Sequence, residues 1–313
     1  IIKWRLRYHI ELFDSSLPEP KDREFISILN DPKYIILQRK LETMWREYEP
    51  YADPHFLIEI RNSLHSRYWE MYLGYTLLTM KFKLKTKTIS VGPDLQIDDR
   101  KGIVIEATAS SGGEGPDSIK LNELKPNEVE FVCVPDEKII LRYRSSIEDK
   151  FRKYQKYLKD GIINDIHPFV IALNGRRVPY SILDDEPPNI IKAVFPIGNP
   201  YVTLDKNSSE IIGQGFHYQP TISKKNKEKI STRIFQDKSY SCISGIIFSN
   251  SDIFNPPTVN GADLILIHNP IAKNPLPKGW LSVGKEYWLE NELLINKTWG
   301  KMYQRTDPGS SIS

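Results

Sequence analysis

The chain has 313 residues, 40% hydrophobic and 27% charged, with a formal net charge of +3. Those proportions exclude a disordered or disulfide-stapled chain, and no apolar run reaches the roughly 20 residues of a membrane span. A charge so near neutral still allows a local basic groove. Two cysteines, Cys133 and Cys242, sit in apolar stretches and are expected as buried thiols, too few for a disulfide framework or a zinc site. No signal peptide is visible, although a chain that starts at Ile1 leaves an upstream segment open. The cytoplasm is the expected compartment.

Residues 1–54 are predicted to form an N-terminal helical extension. Asp31-Pro32 is a cap followed by a helix-starting proline, and Ile35, Leu37, Leu41 and Met44 recur at helical spacing before Pro50 and Pro54 stop the element. A longer helix is predicted over 55–80, with Ile60, Leu64, Tyr68, Met71, Tyr75 and Leu78 as its core stripe. Glu70 lies beside that stripe. It reads either as an i,i+3 partner of Arg67 or as an acid aimed at a hairpin over 89–110. Arg61 and His65 fall on another side of the same helix. Residues 80–86 alternate Met80, Phe82 and Leu84 with three lysines, the pattern of a half-buried strand with a basic outer face.

The stretch 89–110 is predicted to be a β-hairpin that carries two acids. Leu95 and Ile97 have strand spacing, and Asp98 to Gly102 is a polar turn. Parity splits the second strand into Ile103, Ile105, Ala107 and Ala109 on one face and Val104, Glu106 and Thr108 on the other. Glu106 is therefore a carboxylate inside an apolar strand, a costly arrangement unless the charge is paired or binds a metal. Asp94 follows Gly92-Pro93 at the mouth of the first strand. Two hard oxygen ligands meeting there would suit Mg²⁺.

Residues 110–126 form a Gly-rich loop in which Asp117 reads as a turn residue and Glu114 as an exposed charge. Short strands are expected over 130–134 and 138–143, the second equally legible as the lead-in to a helix over 146–158. In that helix Phe151, Tyr154 and Leu158 face the core. Lys150 borders the stripe, Gln155 borders it on the other side, and Lys153 lies farther round. The apolar run Phe169 to Leu173 reads as a central buried strand, parallel to the strand before the helix. Residues 190–195 read as a helix end or a strand. Lys224, Lys225, Lys227, Lys229 and Arg233 form a basic cluster, either a solvated loop or a track for a phosphate backbone. Strands over 244–249 and 263–268 are expected to extend the sheet. Trp280, Tyr287 and Trp288 are expected to seal a C-terminal helix.

The succession of a helix with Glu70, a strand with Pro93-Asp94 and a strand with Glu106 resembles the PD-(D/E)xK nuclease superfamily, over roughly residues 55–175. The resemblance implies a restriction-endonuclease-like α/β fold: a mixed β-sheet flanked by helices. The whole chain would be a single α/β domain, with 1–54 as N-terminal extension, 55–175 as nuclease-like core and 176–313 as an α+β addition that extends the sheet. It implies a nuclease that cleaves nucleic acid, DNA ahead of RNA, with Mg²⁺ or Mn²⁺ held by Asp94, Glu106 and the carbonyl of Ala107, and with Glu70 at a second ion. It also implies catalytic roles for Glu70, Asp94, Glu106 and a lysine. The family usually carries that lysine two residues after the second acid, where this chain has Thr108. Some members move it to the following helix, which singles out Lys150, with Lys153 in reserve and Gln155 as a polar substitute. The alternative is a catalytically inactive copy that binds nucleic acid or protein. A hydrolase using His268 or His65 is a third option. A dimer is compatible with all of these.

Overall fold

The computed structural model describes residues 9–99, 102–121, 133–184 and 186–299. A seven-stranded mixed sheet is its spine. The strands are β1 (Leu95–Gln96), β2 (Val104–Ser111), β3 (Phe169–Arg177), β8 (Ile243–Ser249), β9 (Ile265–His268), β10 (Gly284–Glu290) and β11 (Leu293–Trp299), in that spatial order. Two separate hairpins complete the strand set: β4 (Ile197–Leu204) with β5 (Ile211–Tyr218), and β6 (Thr221–Ser223) with β7 (Lys229–Ser231). Strands β2, β3 and β8 run parallel, as do β9 and β10, while β1–β2, β8–β9 and β10–β11 are antiparallel.

Strand parity sorts the side chains into two cores. Ile105, Val170, Ala172, Ile247 and Leu266 face α1 (Arg23–Asn30), α2 (Ile35–Tyr48), α3 (Phe56–Ile60) and α4 (Leu64–Thr79). Val104, Ile171, Leu173, Ile246 and Ile267 face α5 (Asp136–Lys159) and α6 (Asn189–Val194). The 24-residue α5 keeps Ile139, Tyr143, Ile147, Phe151 and Tyr154 at three- and four-residue steps, and Tyr154 stacks on Phe169 with ring centroids 4.0 Å apart. It is the crossover between β2 and β3, which is why those strands are parallel. Among the described residues no helix is long and apolar enough to cross a membrane.

Several expectations need correction. The helix predicted over 55–80 breaks between Ile60 and Leu64. Arg61 turns inward there and donates from Nε to the Pro18 carbonyl at 2.7 Å, while its own carbonyl accepts from Lys21 and Asp22. Asp22 caps both neighbours: Oδ1 accepts from Glu24 and Phe25, Oδ2 from Leu64 at the start of α4. The expected single stripe on α4 is too narrow. Trp69, Tyr72, Leu73 and Leu77 are buried as well, because the sheet covers one side and α2 the other. On α2 the buried residues are Leu41, Trp45 and Tyr48, whereas Ile35 is exposed.

Residues 80–86 keep the predicted alternation, but only Leu84 bridges to Ile97, so the segment is an edge beside β1 rather than a full strand. Residues 138–143 belong to α5, and 190–194 to α6, with Phe195 extended at its end. Most of 130–134 lies outside the described residues. The expected C-terminal helix is a hairpin, β10–β11, whose Asn291 and Glu292 both have positive φ, as a two-residue primed turn requires. Cys133 is exposed, and Cys242 is half-buried, its thiol pushed up to about 11 by burial.

Gly74 shows how closely α2 and α4 approach. A Cβ there would lie 2.4 Å from the Tyr48 ring. Gly74→Val should therefore lower stability by about 1–3 kcal/mol through overpacking, read from urea unfolding midpoints. An unchanged midpoint would contradict this account of the helix contact.

A candidate acid and lysine site at the edge of the sheet

The site is built from three elements, each delivering its side chain for a local reason. Strand β2 carries Glu106 on the α5 side of the sheet, as parity predicted, and the side chain has no exposed surface, 0%. The preceding loop carries Asp94. Gly92 supplies a backbone with φ +117, and its carbonyl accepts from Tyr157 of α5 at 2.8 Å, which pins the loop to the helix. Asp94 Oδ2 accepts the backbone N–H of Ala107 at 2.8 Å, so the two acids are fixed on adjoining chain segments. Amide and carbonyl of one strand residue point to the same side, so the Ala107 carbonyl faces Asp94 too.

Helix α5 brings both predicted lysines to these acids. Lys150 Nζ lies 2.9 Å from Glu106 Oε2 and 3.3 Å from Asp94 Oδ2. Lys153 Nζ lies 2.7 Å from Glu106 Oε2 and 3.8 Å from Asp94 Oδ1. Gln155 is exposed and takes no part. Thr108 lines the same cavity, where it offers a hydroxyl and no charge.

Helix α4 contributes Glu70, buried, which accepts from Tyr48 Oη at 2.8 Å and pairs with Arg67 at 2.5 Å. Glu70 is the i,i+3 partner of Arg67, and it also lines one cavity of about 500 Å³ with Asp94, Ala107, Thr108, Lys150 and Lys153. Tyr48, Tyr157 and Lys87 were not anticipated. The two tyrosines act through hydroxyl groups at the ends of core-facing rings, which residue spacing does not disclose.

Three carboxylates and three cations, Lys150, Lys153 and Arg67, meet here, and burial is the largest single influence on each carboxyl. Burial and the neighbouring Asp94 charge raise the Glu106 carboxyl above its ordinary range, although Lys150 and Lys153 oppose them. Burial and Asp94 likewise raise Glu70 against the pull of Arg67 and Tyr48. Burial also pushes Asp94 upward, but Lys150, Lys153, Lys87 and the Ala107 N–H outweigh it and leave Asp94 below its usual value. Lys153 is shifted upward, since Asp94 and Glu106 outweigh its own desolvation.

Among the described residues no group of three or more His, Cys, Asp or Glu side chains is placed so that it could hold a metal ion. Carboxylate oxygens and a carbonyl are the donor types a hard divalent cation takes. Among the described residues Glu106 Oε1 is buried without a hydrogen-bond partner, and burial leaves Glu106 and Glu70 raised above their ordinary range.

The two histidines named above lie away from this cluster. His268 is buried at the end of β9, 3.7 Å from Glu286, which is fully buried in β10. His65 is held down to about 4 by burial and by the nearby Arg177, and so is neutral at physiological pH.

No protein-family model, curated protein or solved structure matches the chain.

The low value for His65 has a measurable consequence. Between about 6.5 and about 4 the unfolded chain binds a proton that the folded chain refuses, so stability falls as pH falls through that window. The contribution is on the order of 2–3 kcal/mol. Urea unfolding at pH 6.5 and pH 4.5 should show a smaller loss in His65→Gln than in the unmodified protein. Equal losses would contradict the assignment.

Proposed function

We propose that the chain is a divalent-metal-dependent nuclease of the PD-(D/E)xK type, with a restriction-endonuclease-like core over residues 55–175. The observation that carries this reading is the contact of Lys150 with both Asp94 and Glu106. The lysine absent from position 108 has a counterpart on the next helix, within reach of the same two acids.

In this reading Asp94, Glu106 and the Ala107 carbonyl hold Mg²⁺ or Mn²⁺, and Glu70 serves a second ion directly or through water. A metal so bound lowers the pKa of a coordinated water and offsets charge that builds on the phosphate. The protein's own groups do the rest. Tyr48 and Arg67 hold the Glu70 carboxylate in place. The Ala107 N–H orients Asp94. Lys150 positions the attacking water and stabilises the transition state, with Lys153 as a second cation beside Glu106. Asp94 also lines a neighbouring pocket of about 280 Å³ together with Lys85 and Lys87, a basic approach for a phosphate backbone. The basic cluster at 224–233 is an exposed hairpin, β6–β7, in which Lys224 pairs with Glu228.

Cleavage of single- and double-stranded DNA and RNA with Mg²⁺, Mn²⁺ or EDTA tests the proposal. Asp94→Asn and Glu106→Gln should abolish metal-dependent cleavage while the circular dichroism spectrum stays native. Lys150→Ala should reduce the rate on the order of 10²–10³-fold. Undiminished cleavage by the two acid variants would discard the site. A second reading, a non-catalytic binding module, rests on Thr108 and on acids already neutralised by lysines. It predicts metal-independent nucleic-acid binding with no cleavage under any condition.

A further inference from the structure

The ribbon β4–β5 projects from the sheet with its apolar side chains uncovered. Val202 is 58% exposed, Ile212 65% and Tyr218 67%, and Leu204, Ile211 and Phe216 are exposed beside them. The pairing of Val202 with Gln214 and of Pro200 with Phe216 puts Pro200, Val202 and Phe216 on one face. That face forms one wall of a groove of about 930 Å³. The other wall is the β10–β11 hairpin, with Leu293, Leu294 and Ile295. Strand β11 ends the seven-stranded sheet, so among the described residues its outer backbone groups have no strand partner. An uncovered edge of this kind is one that folded proteins normally guard with charge. Leu293 to Ile295 carry none.

We propose that the β4–β5 ribbon and the β11 edge form a two-fold interface with a second copy of this chain. Three observations favour that occupant. First, one patch supplies both an apolar groove and a projecting apolar ribbon to fill it. Such self-complementarity is what an isologous contact needs, since each copy presents the same surface to the other. Second, the charged residues from 197 to 218 are Asp205, Lys206 and Glu210, close to the turn between the strands. Two ribbons can therefore meet without like-charge repulsion, Glu292 at the β10–β11 turn being the charged side chain among the described residues that line the groove, and the ribbon lacks the cations a nucleic acid would require. Third, Val202, Phe216, Tyr218 and Leu293 all line this one groove and together expose on the order of 500 Å² per copy, a large part of the about 800 Å² per partner in a standard stable interface. Contiguous apolar surface of that extent marks an interaction site. The inference does not rest on the nuclease reading, and its test reads mass and amide exchange rather than cleavage.

Sedimentation velocity of the full chain from about 1 to 100 µM, a range that spans typical dimer affinities, should show a species of twice 36.3 kDa. In the double variant Val202→Asp, Phe216→Asp the dimer should dissociate, with the constant raised on the order of 100-fold or more. Ile36→Asp, at an exposed apolar position on α2, should leave it unchanged. Hydrogen exchange on the unmodified protein needs no variant to fold: amides of 200–218 and 293–295 should gain protection as concentration rises. A monomer throughout the range, a dimer that survives the double variant, or exchange independent of concentration would each overturn the proposal. A monomer that instead floats with phosphatidylcholine vesicles would overturn it too, and would assign the patch to a lipid surface.

Discussion

A carboxylate with no access to water is the constraint around which this structure is arranged. Glu106 sits inside β2, between apolar neighbours on a strand packed from both sides. A charge so placed costs several kcal/mol unless partners meet it at close range. Helix α5 meets it with two ammonium groups, one turn apart, on the flank of the stripe that anchors the helix. The anchoring by Ile147, Phe151 and Tyr154 thus sets the position of the lysines as well. Even so, the balance is incomplete. Asp94 shares the same cations and repels both Glu106 and Glu70, so burial and this repulsion leave those two carboxyls raised above their ordinary range although Lys150, Lys153 and Arg67 face the cluster.

The fold explains how residues from distant parts of the chain come together. The loop before β1 carries Asp94 and β2 carries Glu106, α4 lies across one face of the sheet with Glu70, and α5 lies across the other face with the lysines. Asp94, Glu70 and the lysines line one cavity, and Glu106 is buried against the lysines. Trp69 fixes α4 to the sheet by donating to the Ala172 carbonyl, and Tyr157 fixes α5 to the loop that holds Asp94. These contacts tie the large aromatic side chains of the core to the geometry of the polar site. A change in packing several ångströms away, as at Gly74, would move Tyr48 and through it Glu70.

Much of this was legible in the sequence because it is periodic. Strand parity put Glu106 opposite Ile105, helical spacing put Lys150 at the margin of its stripe, and an unbroken apolar run marked β3 as central. What escaped had no period of its own. The break at Arg61 exists because a distant segment, Leu12 to Asp22, needs that guanidinium and carbonyl. The hairpin β10–β11 turns at Asn291-Glu292, a weak form of the usual turn signal, and its aromatic residues read as well for a helix as for a strand. The second face of α4 was missed because its cover, α2, lies elsewhere in the chain.

We propose that Asp94 and Glu106 together hold a divalent cation. Calorimetric titration of the purified protein with Mn²⁺, kept free of nucleic acid, tests it most directly. The account predicts saturable binding that is lost in Asp94→Asn and in Glu106→Gln and retained in Lys150→Ala. Binding that persists unchanged in both acid variants, or no binding to the unmodified protein, would contradict it.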